Sequence, residues 1–391
     1  MERKVYLDSA STTPTCSEAV IKMRKVFDLE YGNSSSLHKY GRDAVAYLDE
    51  SRNEIAKLIG ANDSEIYFTS GGTESNNWAI RGIAYANKDK GNHLITSSFE
   101  HPSVLEVFKS LEKEGFRVTY LPVDKHGFIN MQSLIHEIGD DTILVSIMTA
   151  NNEVGTIQNI SAISHTVRDK GAIFHADATQ ALGSLRIDVE KLGIDAMTFS
   201  SHKIYGPKGA GALYVKKGIK INQLLKGGHQ ERGKRPGTTN VAAIAGFGAA
   251  AKALNRDFEI NKDRLKSTKD YFVRKLRETI PGVYLNGTLK QSVDHILNVS
   301  FDQIEGESIM LMLDLKGVAV STGSACSSGS LEASHVLKAM GVEDDLINGA
   351  IRFSFLKITS KNDVDYVIGH LEEIVKRLRK ISPLRARKRS K

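Results

Sequence analysis

The stretch FSSHKIYGPKGAGALYV, from Phe199 to Val215, puts Lys203 directly after an apolar run of strand length and before a glycine-rich turn. An amine there lies at the ligand edge of an α/β sheet, where it could form a Schiff base with a carbonyl cofactor. Taken alone, Lys203 is better explained by a solvated surface lysine. Four other strand ends shift that balance. Asp177, in HADATQ, closes a second apolar run and could pair with a protonated pyridine nitrogen, keeping a ring able to store electrons. Alone it would serve equally as a helix N-cap. Gln180, three positions on, could donate to a phenolic ring oxygen. Ser70-Gly71-Gly72-Thr73 follows the run Ile66 to Thr69 and precedes a helix with Ala79, Ile83 and Ala86 on one face. Backbone N–H groups and a helix N-terminus in that arrangement attract phosphate, although Glu74 brings a like charge that must point away. His101, in SSFEHPSV, could stack on a flat ring and move protons, and Asn152, in MTANNEVGT, could hold a ring oxygen or a substrate carboxylate.

These groups need a scaffold, and the hydrophobic pattern supplies one. From about Glu65 to Val215, apolar runs of strand length alternate with amphipathic helical stretches, the pattern of parallel strands joined by crossover helices. The expected strands are Ile66 to Thr69, Leu94 to Ser97, Val118 to Leu121, Ile143 to Met148, Ile173 to Ala176, Met197 to Ser200 and Ala212 to Val215. A small-residue helix, AAIAGFGAAAKAL, then leads into a charged helical stretch from Asn261 to Thr279, with a domain boundary expected near Asn255. The last third reads as strand (His295 to Phe301), helix (Glu307 to Lys316), strand (Val318 to Ser321), Ser/Gly loop, a short helix ending at Gly341, strand (Ala350 to Leu356) and helix. In the final helix, apolar residues from Val364 to Leu378 recur at three and four, behind a Ser360/Asp363 capping box. The expectation is an α/β protein with a large domain over residues 15–255, a smaller α+β domain from residues 1–14 and 256–380, and a tail over 381–391.

Composition narrows the class. With 391 residues, 41% hydrophobic and 25% charged, the chain is of ordinary globular type, long enough for two or three domains. Cys16 and Cys326 are the only cysteines, which offers neither a disulfide framework nor a paired metal motif and suits a reducing compartment. The opening MERKVYLDSAS holds only a three-residue apolar run, too short for a signal peptide, and no segment reaches the ~20 apolar residues of a membrane span. A cytoplasmic protein without membrane contact is expected. The net charge of +7 belongs to the C-terminus, where Lys376 to Lys391 holds nine Lys/Arg and no acidic residue. RARKRSK lacks interleaved aromatics, so the tail is expected to make at most a weak, phosphate-directed contact with RNA.

The chain resembles the fold-type I pyridoxal-phosphate enzymes, and within them the cysteine desulfurases of the NifS/IscS type. The resemblance is carried by YLDSASTTP from Tyr6, YGNSSSLH from Tyr31, FTSGGTES from Phe68, EHPSV from Glu100 and NNEVGTIQ from Asn151. It continues through HADATQ, SSHKIYGPKG, GGHQERGKRPGT from Gly227, STGSACSSG from Ser321 and IRFS from Ile351. It implies a mainly parallel seven-stranded sheet, pyridoxal 5'-phosphate held through Lys203, and a phosphate site made by Gly72, Thr73, Ser200 and His202. Thr238 of the partner subunit in a homodimer would complete that site. It further implies that Asp177 pairs with the pyridine nitrogen, Gln180 and Asn152 with the ring oxygen, and that His101 stacks on the ring. Asn152 and Arg352 would bind substrate. The alternation of Ile351, Phe353 and Phe355 with Arg352 and Ser354 independently points Arg352 away from the apolar face.

Cys326, in a loop of small residues that offers little to bury a thiol, would take sulfur from L-cysteine as a persulfide and pass it to a protein acceptor, leaving L-alanine. Cys16, beside an expected helix start at Ser17, reads as packing. Ser9, Ser11, Ser34, Ser201, Ala333 and Leu356-Lys357 depart from the usual family pattern, none at an expected catalytic position. Selenocysteine lyase or aminotransferase chemistry on the same scaffold is the nearest alternative. A sulfur-delivery scaffold that binds RNA through its tail is the alternative from another class.

Overall fold

The structure, a computed structural model, describes residues 3–322 and 333–383. Its strands are β1 (Val5–Tyr6), β2 (Ile66–Thr69), β3 (His93–Ser97), β4 (Arg117–Leu121), β5 (Thr142–Met148), β6 (Ile173–Asp177), β7 (Ala196–Ser200) and β8 (Gly211–Val215), followed by β9 (Val283–Asn286), β10 (Ile296–Phe301), β11 (Val318–Ala319) and β12 (Ala350–Ser354). The helices are α1 (Ser17–Leu29), α2 (Lys39–Ile59), α3 (Gly72–Ala86), α4 (Pro102–Lys113), α5 (Met131–Glu137) and α6 (Ile160–Asp169), then α7 (Val241–Arg256), α8 (Phe258–Thr279), α9 (Gly306–Asp314), α10 (His335–Ala339), α11 (Asp344–Asn348) and α12 (Lys361–Ile381).

Strands β2 to β8 form one seven-stranded sheet in the order β2-β8-β7-β6-β5-β3-β4. Both faces are covered, so its strands are apolar on both sides. Ile95, Val145, Phe174 and Met197 enter one core, while their neighbours Leu94, Leu144 and Ala196 enter the other. This is the period of two along a pleated strand. Six of the seven strands run in one direction. The sheet is mainly parallel, as expected, and the exception is a strand that the pattern of apolar runs and crossover helices does not mark: β8 is antiparallel to both β7 and β2. Only residues 201–210 join β7 to β8, too few for a crossover, so the chain turns straight back. That reversal places Lys203 at the sheet edge.

Several observed strands begin one residue before the apolar runs, at His93, Arg117, Thr142, Ala196 and Gly211, because the backbone ladder continues past the last apolar side chain. Two elements had no signal: β1 is only two residues long, and β9 is partly solvent-facing with a mixed pattern.

A separate core joins the N-terminus to the last third. Leu7 packs with Phe272, Val299, Phe353 and Leu371 around the antiparallel sheet β12-β10-β9. β1 pairs with β11, and Asp8 bridges to Ser354. The expected strand Val318 to Ser321 divides into β11 and an isolated bridge between Ser321 and Arg352. α12 starts at the expected box, with Ser360 Oγ accepting from Asp363 N–H and the Asp363 carboxylate accepting from Ser360 N–H. No helix among the described residues is long and apolar enough to cross a membrane.

Candidate active site

Since β2, β3, β5, β6 and β7 run the same way, the residues that follow them collect at one edge, outside the strands' C-terminal ends. There a cavity of about 310 Å³ is lined by Gly72, Thr73, His101, Asn152, Asp177, Gln180, Ser200, His202, Lys203 and Arg352, all ten of them singled out in the sequence. Thr238 lies elsewhere, exposed, on a second cavity of about 190 Å³ that also touches Ser70 and Arg235. Cys326 and the tail Leu384 to Lys391 lie outside the described residues.

One side of the main cavity has the makings of an anion site. α3 begins at Gly72, so its first N–H groups open onto the cavity beside Thr73, Ser200 and His202. Gly71, at φ +155°, makes the turn, and a Cβ on Gly211 would come within 2.6 Å of the Gly71 Cα. Strand β8 and the turn touch backbone to backbone. Glu74 does point away: burial pushes its pKa up, but the Arg235 guanidinium (2.8 and 3.0 Å) and Ser70 N–H hold it below the usual value. Burial beside Lys203 and Lys208 pushes His202 down to about 4, so its imidazole is neutral.

The opposite wall orders a carboxylate and an imidazole through two residues that the sequence had not flagged. Asp177, at the end of β6, accepts from Thr179 N–H (2.9 Å) and from Asn76 Nδ2 (2.8 Å). Asn76 also donates to Ser103 Oγ, and the Ser103 hydroxyl and N–H both approach His101 Nδ1, at 2.8 and 3.1 Å. Those donors fix His101 with its proton on Nε2. Burial lowers the His101 pKa, further helped by Lys203 and His335 against the pull of Asp177. Gln180 is oriented from behind: its Nε2 donates to the Ala10 carbonyl, and its Oε1 accepts from His295 Nε2 at 3.2 Å. His295, expected only as a strand's first residue, is pushed down to about 3 by burial and by Lys269.

Arg352 is 1% exposed and, as the alternation implied, faces away from the Ile351–Phe353 core. Its guanidinium donates to Asp8 (2.9 Å), Ser11 Oγ (2.7 Å) and the Asn152 carbonyl (3.0 Å). Ser11, one of the departures from family pattern, therefore touches Arg352 and also donates to Asp8. No local signal could have found Asp8 or Ser11, because long-range pairing, of β1 with β11 and of Asp8 with Ser354, brings them here. The same segment positions Lys203, whose Nζ donates to the carbonyls of Ala10 (2.6 Å) and Ser11 (2.8 Å). Cys16 caps α1, half-buried, and burial pushes its thiol pKa up, as suits a packing role.

Pyridoxal phosphate fits these residues. The buried atoms Asn76 Oδ1, Asn152 Oδ1 and Arg352 Nε belong to cavity-lining residues and have no hydrogen-bond partner among the described residues. Among the described residues Asp177 is the sole carboxylate lining the cavity, which a helix N-terminus also borders. Among the described residues no cluster of His, Cys, Asp and Glu could hold a metal ion.

Glu100 extends the site inward. Fully buried, it accepts from the Ser97 hydroxyl (2.5 Å) and Met148 N–H (3.0 Å), while burial raises its pKa to about 8. The folded protein thus keeps a proton that the unfolded chain loses above about pH 4.5. This contribution to stability is complete below that pH and is lost as pH rises through 8. Glu100→Gln, which keeps the acceptor and cannot ionise, is expected to gain on the wild type by a few kcal/mol between pH 5 and pH 8, on the order set by the shift. Melting midpoints at the two pH values check this; a difference independent of pH would contradict it.

Fold and site together define a pyridoxal-phosphate enzyme of fold type I. The sequence matches the family model "Aminotransferase class-V" over residues 5–367, and the chain belongs to that family. It is 49% identical over 383 residues to the cysteine desulfurase IscS of Dictyoglomus turgidum, covering 98% of this chain and 97% of that protein. Among solved structures it is similar to a NifS-like protein, with TM-score 0.91 and 36% identity over 96% of this chain and all of the other. It also resembles SspA solved in complex with cysteine, with TM-score 0.80 and 34% identity over 90% of this chain and 99% of that one.

Proposed function

We propose that this chain is a cysteine desulfurase that takes sulfur from L-cysteine, releases L-alanine and carries the sulfur as a persulfide on Cys326. The observation that carries the reading is the single cavity in which Lys203, Asp177, His101 and Arg352 meet beside a helix N-terminus. Pyridoxal phosphate, when bound, supplies an electron sink for the pair released at the substrate's Cα.

The chain's own groups do the rest. Gly72, Thr73, Ser200 and His202 hold the phosphate, and Lys203 holds the cofactor covalently. Asp177, kept in place by Asn76 and Thr179, pairs with the ring nitrogen, while Asn152 and Gln180 meet the ring oxygen. Arg352 binds the substrate carboxylate, and Asp8 and Ser11 prevent its guanidinium from swinging away. Lys203 Nζ moves the proton at Cα, and His101, neutral with Nε2 protonated, assists. The Cys326 thiolate then attacks the substrate's sulfur. An S–S bond forms, the Cβ–S bond breaks, and its electron pair stays on carbon, which takes a proton to become the alanine methyl group.

The enzyme is proposed to work in the cytoplasm as a homodimer. Thr238, exposed and absent from the lining of its own chain's main cavity, would complete the phosphate site of the other protomer. The sulfur acceptor is a protein of iron–sulfur cluster assembly or of tRNA thiolation. The test is to incubate protein carrying pyridoxal phosphate with L-cysteine while assaying alanine and protein-bound persulfide. Equal amounts of both in a single turnover are expected; a keto acid in place of alanine, or no product, would overturn the assignment.

A further inference from the structure

The turn after β5 joins three parts of the site. Asn151 Oδ1 accepts from the N–H groups of Glu153 (2.8 Å) and Val154 (3.0 Å), and Asn151 Nδ2 donates to the Phe99 carbonyl (3.0 Å), two residues before His101. The Asn152 carbonyl accepts from Arg352. Glu153, fully buried, reaches in another direction: its carboxylate is 2.5 Å from Ser334 Oγ, the N-cap of α10, which also accepts from Leu337 N–H. The next residue, His335, donates from Nε2 to the Glu100 carbonyl at 2.9 Å. On the other side of Cys326, Ser321 exchanges two backbone hydrogen bonds with Arg352, at 2.7 and 3.2 Å.

The stretch of chain carrying Cys326 is therefore tied at Ser321 to Arg352 and at Ser334–His335 to Glu153 and Glu100. Each of these partners is a proposed site residue or the immediate neighbour of one. In sequence, Cys326 lies five positions after Ser321 and eight before Ser334. Anchors on both sides of a reacting group lower the cost of bringing it to a bound substrate.

We propose that Glu153 is a positioning residue for sulfur transfer, acting through Ser334 to hold the return end of the Cys326 segment against the active site. Its carboxyl does not line the cavity, although it interacts electrostatically with Arg352, and nothing in the chemistry of the reaction requires an acid there. A buried carboxyl is costly to keep, since its burial favours the protonated form. A role in tying two segments together accounts for it. This inference rests on the desulfurase reading above, and its test separates the two.

The experiment compares wild type, Glu153→Ala, Ser334→Ala and Glu153→Gln, all loaded with pyridoxal phosphate. The expected result is that Glu153→Ala and Ser334→Ala lower kcat for alanine and the rate of persulfide formation about tenfold or more, as small misplacements of a reacting group do. KM for L-cysteine and the change in cofactor absorbance on adding it should stay within about twofold of wild type, because these report on the cavity alone. Glu153→Gln, which still accepts from Ser334, should recover most of the rate. An unchanged persulfide rate in Glu153→Ala overturns the proposal. So does a parallel loss of cysteine binding, or failure of Glu153→Gln to rescue, since either marks a merely structural residue. Absence of alanine and persulfide in the wild type would instead refute the desulfurase reading.

Discussion

Lys203→Ala is expected to cut alanine formation from L-cysteine by about 10⁴-fold, the upper end of what a positioned proton-transfer group contributes. Two losses combine: the amine that holds the cofactor covalently, and the base beside the substrate's Cα. Borohydride treatment should fix pyridoxal phosphate to the wild type and leave the variant unmodified by mass. Lys203→Arg is expected to be as inactive as Lys203→Ala, because a guanidinium keeps the charge but stays protonated and cannot form the bond. Activity in the arginine variant would reduce the role of Lys203 to charge. The cost in stability is modest, since Nζ donates to the carbonyls of Ala10 and Ser11 beside a cavity that water can enter.

Cys326→Ala is expected to abolish persulfide formation, a fall of about 10³-fold or more, while the absorbance of bound pyridoxal phosphate stays as in the wild type. The separation follows from geometry. The groups proposed to hold the cofactor are positioned by described elements: the phosphate groups follow β2 and β7, the ring groups follow β3, β5 and β6, and Lys203 donates to the carbonyls of residues 10–11. A thiolate is a strong nucleophile and a hydroxyl a weak one, so Cys326→Ser should behave like the alanine variant. Loss of the cofactor band in either variant would make Cys326 structural; persulfide found elsewhere, as on Cys16, would move the acceptor. Cys16 is poorly suited to that role, because burial keeps its thiol protonated.

Much of this was legible in one dimension because it depends on local chemistry. A lysine, an aspartate or a glycine pair at the end of an apolar run declares its own position, since a parallel strand always delivers its last residue to the same edge of the sheet. Ten expected residues meet in one cavity for that reason. The side of β12 on which Arg352 lies was equally readable from alternation.

Contacts between distant segments were not readable. Asp8 and Ser11 reach Arg352 across more than 340 positions, through a strand two residues long that no periodicity can reveal. Asn76 sits one helical turn inside α3 and Ser103 in the first turn of α4, where a polar residue usually means nothing, until the packing of α3 against α4 sets them between Asp177 and His101. The direction of β8 followed from a connection too short to cross over, which the pattern of apolar runs does not record. Glu100 and Glu153 look like ordinary surface acids in sequence, and only burial makes them proton-holding and structural. By itself the sequence determined which chemical groups stand at the strand ends and which faces are apolar, because both are properties of residue type and local spacing. The tertiary structure alone decided which groups touch, which are cut off from water and so which protons they keep, because proximity and dielectric surroundings exist only once the chain has closed on itself.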